Sequence, residues 1–199
     1  VVADMSNSGL RAQWQTSDTS VSSYEVVLDD IGANPNNGAR HTTANQEYLF
    51  SNLTPYATYQ IAVRNHCLNS LSNWSYLYAK YLNDSSIMSL PIQVNFEDTT
   101  MNHHIGLISS PNNPWIIGNG ENSDPSSLGK SLYISNNNGI SASYNTSHHA
   151  ISYAYVDFTI PSDAVSFYID FKYKASLNNN DGMRVFLLSN QSALSIDSL

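Results

Sequence analysis

The stretch Leu53-Thr54-Pro55-Tyr56-Ala57-Thr58-Tyr59-Gln60-Ile61-Ala62-Val63 constrains this chain's fold more than any other. Its first half has turn chemistry, because proline presets one backbone angle and cannot continue a central strand. From Tyr59 onward, Tyr59, Ile61 and Val63 recur every second residue, the period of a strand with one buried face. A tyrosine at the exit of such a turn sends its hydroxyl back to upstream backbone and pins a corner between two sheets. The expectation is an all-β sandwich of the extracellular type rather than an enzyme frame.

The same alternation recurs at Leu10, Ala12 and Trp14, and at Tyr24, Val26 and Leu28. Turn residues separate the runs: Asn7-Ser8-Gly9, Gly32-Ala33-Asn34-Pro35-Asn36-Asn37-Gly38 and Asn69-Ser70-Leu71-Ser72-Asn73. About seven strands fit before residue 83, in a length near the ~100 residues usual for such sandwiches. By phase with Tyr59, Ile61 and Val63, Cys67 should face the core.

A polar stretch, Asn83-Asp84-Ser85-Ser86, followed by Leu90-Pro91, reads as a linker and a fresh start. Two domains are therefore expected, residues 1–84 and 85–199. In the second, residues 99–128 read as irregular, and strands are expected at 131–135, 140–144, 153–160, 165–173 and 183–188. No window carries helical periodicity. The chain opens at Val1 without an initiator Met and closes soon after a strong strand pattern. It is expected to be a piece of a longer protein, with the second domain cut near its C-terminus.

Composition narrows the partners. Net charge is −8 and the charged fraction is 12%, without the basic stripe that phosphate binding needs, so nucleic acid and anionic membrane surfaces are not expected. No apolar run approaches the roughly 18–20 residues of a spanning helix. One cysteine, Cys67, excludes an intramolecular disulfide. Tyr, Thr, Ser and Asn dominate, which suits strands and turns.

Trp14, Tyr24, the corner residues Leu53, Pro55, Tyr59, Ile61 and Val63, and the Asn73-Trp74-Ser75 segment together resemble a fibronectin type III domain over about the first 83 residues. A second set lies further on: Leu90-Pro91, Phe96-Glu97, Trp115-Ile116-Ile117-Gly118, Tyr133-Ile134-Ser135-Asn136, Tyr153-Ala154-Tyr155, Asp157-Phe158-Thr159-Ile160-Pro161, Phe171, and Asp181 ahead of Arg184-Val185-Phe186. It resembles the choice-of-anchor J and cleaved-adhesin domains of bacterial surface proteins, which are MAM-like jelly rolls. The pattern departs at Lys172-Tyr173-Lys174 and at Asn178-Asn179-Asn180. The resemblance implies a fibronectin type III-like sandwich followed by a jelly-roll β-sandwich. It also implies a secreted or outer-surface setting and a target that is a glycan or an extracellular protein. An accessory segment of a secreted hydrolase, with catalysis elsewhere in the longer protein, is the competing expectation; a plain stalk is the third.

Catalysis within the chain is not expected. No Gly-x-Ser-x-Gly elbow is present to hold a serine nucleophile. His66 and Cys67, adjacent on a strand, point to opposite faces. His103-His104 and His148-His149 lack the further ligands zinc requires. Calcium is the expected cofactor class, since hard cations take carboxylate and carbonyl oxygens. Glu97, Asp98 and Asp181 are its candidate ligands, because they flank the second domain's termini, and the domains resembled here often carry structural calcium. The Asp98-Thr99-Thr100 triplet also resembles short bacterial O-glycosylation sites. For ligand binding, Tyr153, Tyr155 and Asp157 should share the outer face of one strand, and Tyr168 that of the next. Side by side they would make an aromatic and polar surface for sugars. Trp115, flanked by Ile116 and Ile117, is expected to plug the core.

Overall fold

The computed structural model describes residues 2–6, 9–82, 87–120, 129–178 and 181–188, with side chains from residue 9 onward. Strands dominate: β1 Val2–Ser6, β2 Gly9–Gln13, β3 Val21–Asp30, β4 Arg40–Thr43, β5 Glu47–Phe50, β6 Thr58–Cys67, β7 Ser70–Leu71, β8 Ser75–Lys80 and β9 Met88–Ser89. A short helix, α1 Thr99–His103, precedes β10 Ile105–Ser109, β11 Trp115–Gly118, β12 Ser131–Ile134, β13 Ser152–Val156 and β14 Phe158–Thr159. The expected linker at residues 83–86, with the boundary inside it, lies outside the described residues.

Two sheets face each other, as the alternation requires. One is β1-β2-β5; the other runs β13-β10-β8-β6-β3-β4, with β7 pairing to β6. Leu10, Ala12, Trp14 and Phe50 from the first meet Tyr24, Val26, Ile61, Val63, Leu77 and Ala79 from the second in one apolar cluster. Trp14 and Tyr24 meet edge to face, ring centroids 5.3 Å apart, the arrangement aromatic quadrupoles favour. Gly9 closes the β1–β2 hairpin with φ +149°, and a Cβ there would lie 1.9 Å from the carbonyl oxygen of Phe50. Only glycine fits that approach.

The corner forms as the turn chemistry implies. The backbone N–H of Thr54 donates to the hydroxyl of Tyr59 at 2.9 Å. Tyr56, with φ +63°, carries the chain round while its backbone N–H donates to the carbonyl of Tyr81.

Residues on both sides of the expected boundary share one sheet. β10 pairs antiparallel with β8 through Ile108 opposite Ala79 and Ser109 opposite Tyr78, and β13 extends the sheet from β10. Ile108 joins the central cluster, with Tyr155 packed against it. The ring of Tyr56 also stacks on His103 in α1, centroids 3.9 Å apart.

Several strand expectations are corrected. Residues 99–128 were expected to be irregular, yet α1, β10 and β11 fall there; β10 is too short, and too interrupted by Gly106, to show a pattern alone. Residues 140–144 make only an isolated bridge, Ser135 to Ser143. Residues 165–173 and 183–188 belong to no strand among the described residues. Val165 and Tyr168 there are almost wholly exposed. Alternation supplies a strand with a face; only a neighbouring strand supplies its hydrogen bonds. The strand expected at 153–160 divides at Asp157 into β13 and β14, and β14 pairs in parallel with β9.

Candidate functional site

β8, β10 and the antiparallel pair β11 and β12 border an open cleft of about 500 Å³, within the range that small ligands occupy. Tyr78 and Lys80 come to it from β8, Leu107 and Ser109 from β10, and Trp115 and Ile117 from β11. Asn136 and Asn138, in the loop after β12, also line it, as do Asn102 of α1 and Lys130.

Local hydrogen bonds hold these walls. The indole N–H of Trp115 donates to the carbonyl of Ser152 at 3.0 Å, and its backbone N–H to the hydroxyl of Ser109 at 3.2 Å. Trp115 therefore lines the cleft half-buried and is not a core plug. The loop after β12 winds round Ser135, whose fully buried hydroxyl donates to Asn137 and accepts from the backbone N–H of Gly139. Tyr133 closes the same loop by donating to the carbonyl of Gly139 at 2.6 Å.

Lys80 is the unusual group. It is buried, and its ammonium donates to the carbonyls of Asn102 at 2.6 Å and Ile105 at 3.1 Å. Burial lowers its pKa to about 8. Across β8, burial and then the neighbouring Tyr76 push the Tyr78 phenol up. Both effects disfavour the charged form in a poorly hydrated wall.

The residues singled out from sequence fall elsewhere. Tyr153 and Tyr155 do share one face of β13, but Tyr155 turns toward the central cluster instead of outward as expected. The strand beside β13 is β10, so Tyr168, 92% exposed and outside every described strand, is not the strand neighbour the expected platform needs. Asp157 sits between β13 and β14; desolvation pushes its carboxyl up although the residue as a whole is exposed.

The three candidate calcium ligands have separate protein partners. The carboxylate of Glu97 accepts from the backbone N–H of Lys130. Asp98 caps α1 by accepting from the backbone N–H groups of Thr100 and Met101. Asp181 accepts from the Tyr144 hydroxyl at 2.9 Å and from the backbone N–H of Asn178 at 3.3 Å. No three His, Cys, Asp or Glu side chains come together as a metal site among the described residues.

Cys67 lies partly exposed at the end of β6, its sulfur 3.9 Å from the Asp18 carboxylate. The expected core position is lost because β6 outruns the apolar cluster, whose last member on that strand is Val63. The cleft itself was not anticipated. Lys80 within an apolar strand was its one local signal; the convergence of β8, β10, β11 and α1 carries no pattern within any segment.

No family model matches the chain, and neither the curated proteins nor the solved structures hold a match to it. No helix among the described residues is long and apolar enough to cross a membrane.

Proposed function

We propose that this chain is a non-catalytic binding segment of a secreted or surface-exposed multimodular protein, and that its cleft receives a glycan. The observation that carries the reading is the cleft's lining. Trp115 and Tyr78 offer aromatic surface, while Asn136 and Asn138 bring side-chain amides to the lining. Pyranose rings present apolar C–H faces edged by hydroxyls, so aromatic surface with a few placed polar groups is complementary to them. A mainly apolar hollow with polar groups at its edge also serves binding without requiring any reaction.

The hydrogen-bonded attachment of Trp115 to Ser152 and Ser109 keeps the indole in place before a ligand arrives. That limits the ordering cost of association. The extended sandwich would act as the support, and adhesion or substrate targeting would follow from whatever the longer protein attaches to it.

A glycan array probed with the chain, followed by titration of tryptophan fluorescence with each hit, tests the reading. Saturable binding that is lost in Trp115→Ala while the fold persists is expected. Silence across the array, or binding indifferent to Trp115, would overturn it.

A further inference from the structure

The chain has 8 Lys and Arg residues against 16 Asp and Glu. Two of the eight, Lys80 and Lys130, line this one cleft, and none of its described lining residues is acidic. Glu97 accepts from the backbone N–H of Lys130.

Lys80 makes the asymmetry pointed. An ammonium carries three donors, and two of them go to neutral carbonyls, those of Asn102 and Ile105. No carboxylate pairs with Lys80 among the described residues. A buried charge with only neutral partners is costly, and the lowered pKa reflects that. The same wall holds a second unmet group: the side-chain oxygen of Asn102 is buried without a hydrogen-bond partner. A ligand that supplied one anionic group would answer the lysine.

We infer that the cleft is selective for acidic sugars, with an anionic substituent on the pyranose ring held by Lys80 and Lys130 and the ring itself lying against Trp115. A carboxylate and a sulfate ester both meet this requirement. The inference rests on the glycan-binding reading and narrows it to a substrate class. An acidic ligand also suits the molecule as a whole. In a chain of net charge −8, long-range attraction for anions is absent, so selectivity must come from the local pair of lysines at short range.

Calorimetric titration with three oligosaccharides that differ only in the terminal residue tests this: glucuronic acid, 6-sulfated glucose and unmodified glucose. One or both acidic probes are expected to bind about tenfold or more tightly than the neutral one, with the advantage shrinking at high salt. Lys130→Gln, a change at a partly exposed position, should remove much of that advantage and leave the melting temperature unchanged. Lys80→Met should weaken acidic probes by about 30-fold or more, the usual consequence of removing one partner of a buried charge pair; circular dichroism checks that this variant folds. Equal binding of acidic and neutral probes, or an advantage that survives Lys130→Gln, overturns the inference and leaves the glycan reading standing. Binding of none of the three, with silence across the wider array, defeats both.

Discussion

Gly106 of β10 lies directly opposite Tyr155 of β13, and a Cβ on Gly106 would fall 2.1 Å from the Cζ of that tyrosine. The phenol ring lies over the bare backbone of the glycine, filling space that a side chain would occupy. This cross-strand pair seats β13 against the central cluster. Gly106→Ala should therefore overpack the joint and cost about 1–3 kcal/mol, read as a lower urea midpoint. In a Tyr155→Ala background, the same change should cost under about 1 kcal/mol, since contacting residues couple. Additive costs would mean that the ring does not occupy the glycine's face.

The Tyr59 hydroxyl accepts from Thr54 across the corner. Tyr59→Phe keeps the ring and strands that N–H, so a loss of about 1 kcal/mol is expected. Chemical denaturation measures it. A variant as stable as the parent would show that the turn holds its shape without the bond.

Lys80 gives stability a distinctive alkaline profile. Its ordinary pKa is 10.5 and its folded value about 8. Between those limits the unfolded chain holds more protons than the folded one, so this group makes stability rise with pH. The full difference between the two values corresponds to ~3 kcal/mol. Below pH about 8 the lysine is charged in both states and the cost of burying that charge is fully present. Tyr78 acts in the opposite sense. Its raised pKa means that stability is lost once the unfolded phenol ionises, near pH 10. Urea midpoints are thus expected to climb from pH 8 to about 10 and then turn down. Lys80→Met should flatten the climb; a parent profile already flat would show that Lys80 titrates like a solvated lysine.

Asp98 is the N-cap of α1, accepting from Thr100 at 2.8 Å and Met101 at 3.4 Å. Asp98→Ala should cost ~1 kcal/mol, and the cost should be the same in calcium and in chelator. A melting scan with both additives checks this. Calcium that stabilised the parent but not the variant would assign the carboxylate to an ion instead of the helix end.

Local order was readable in the strands whose alternation is strict. Leu10, Ala12 and Trp14, then Tyr24 and Val26, then Ile61 and Val63, are all buried, because side chains alternate faces along any strand and one face of each must leave water. Residues 165–173 carry the same alternation and stay exposed. The pattern is identical; what differs is that these residues join no ladder among the described strands. Gln60 shows the converse. It is polar and at an outward phase, yet buried, and Gly32 and Ala33 after β3 satisfy its amide.

The amino-acid sequence by itself determined an all-β chain, the inward face of its strict strands, and a tyrosine corner at Tyr59. Each follows from steric preference and spacing within a few residues. Tertiary structure alone decided that β10 would join β8, that Tyr155 would turn inward over Gly106, and that Lys80, Asn102, Trp115 and Asn136 would meet around one cleft. These depend on which distant backbone supplies a strand's hydrogen bonds, and no local periodicity encodes that choice.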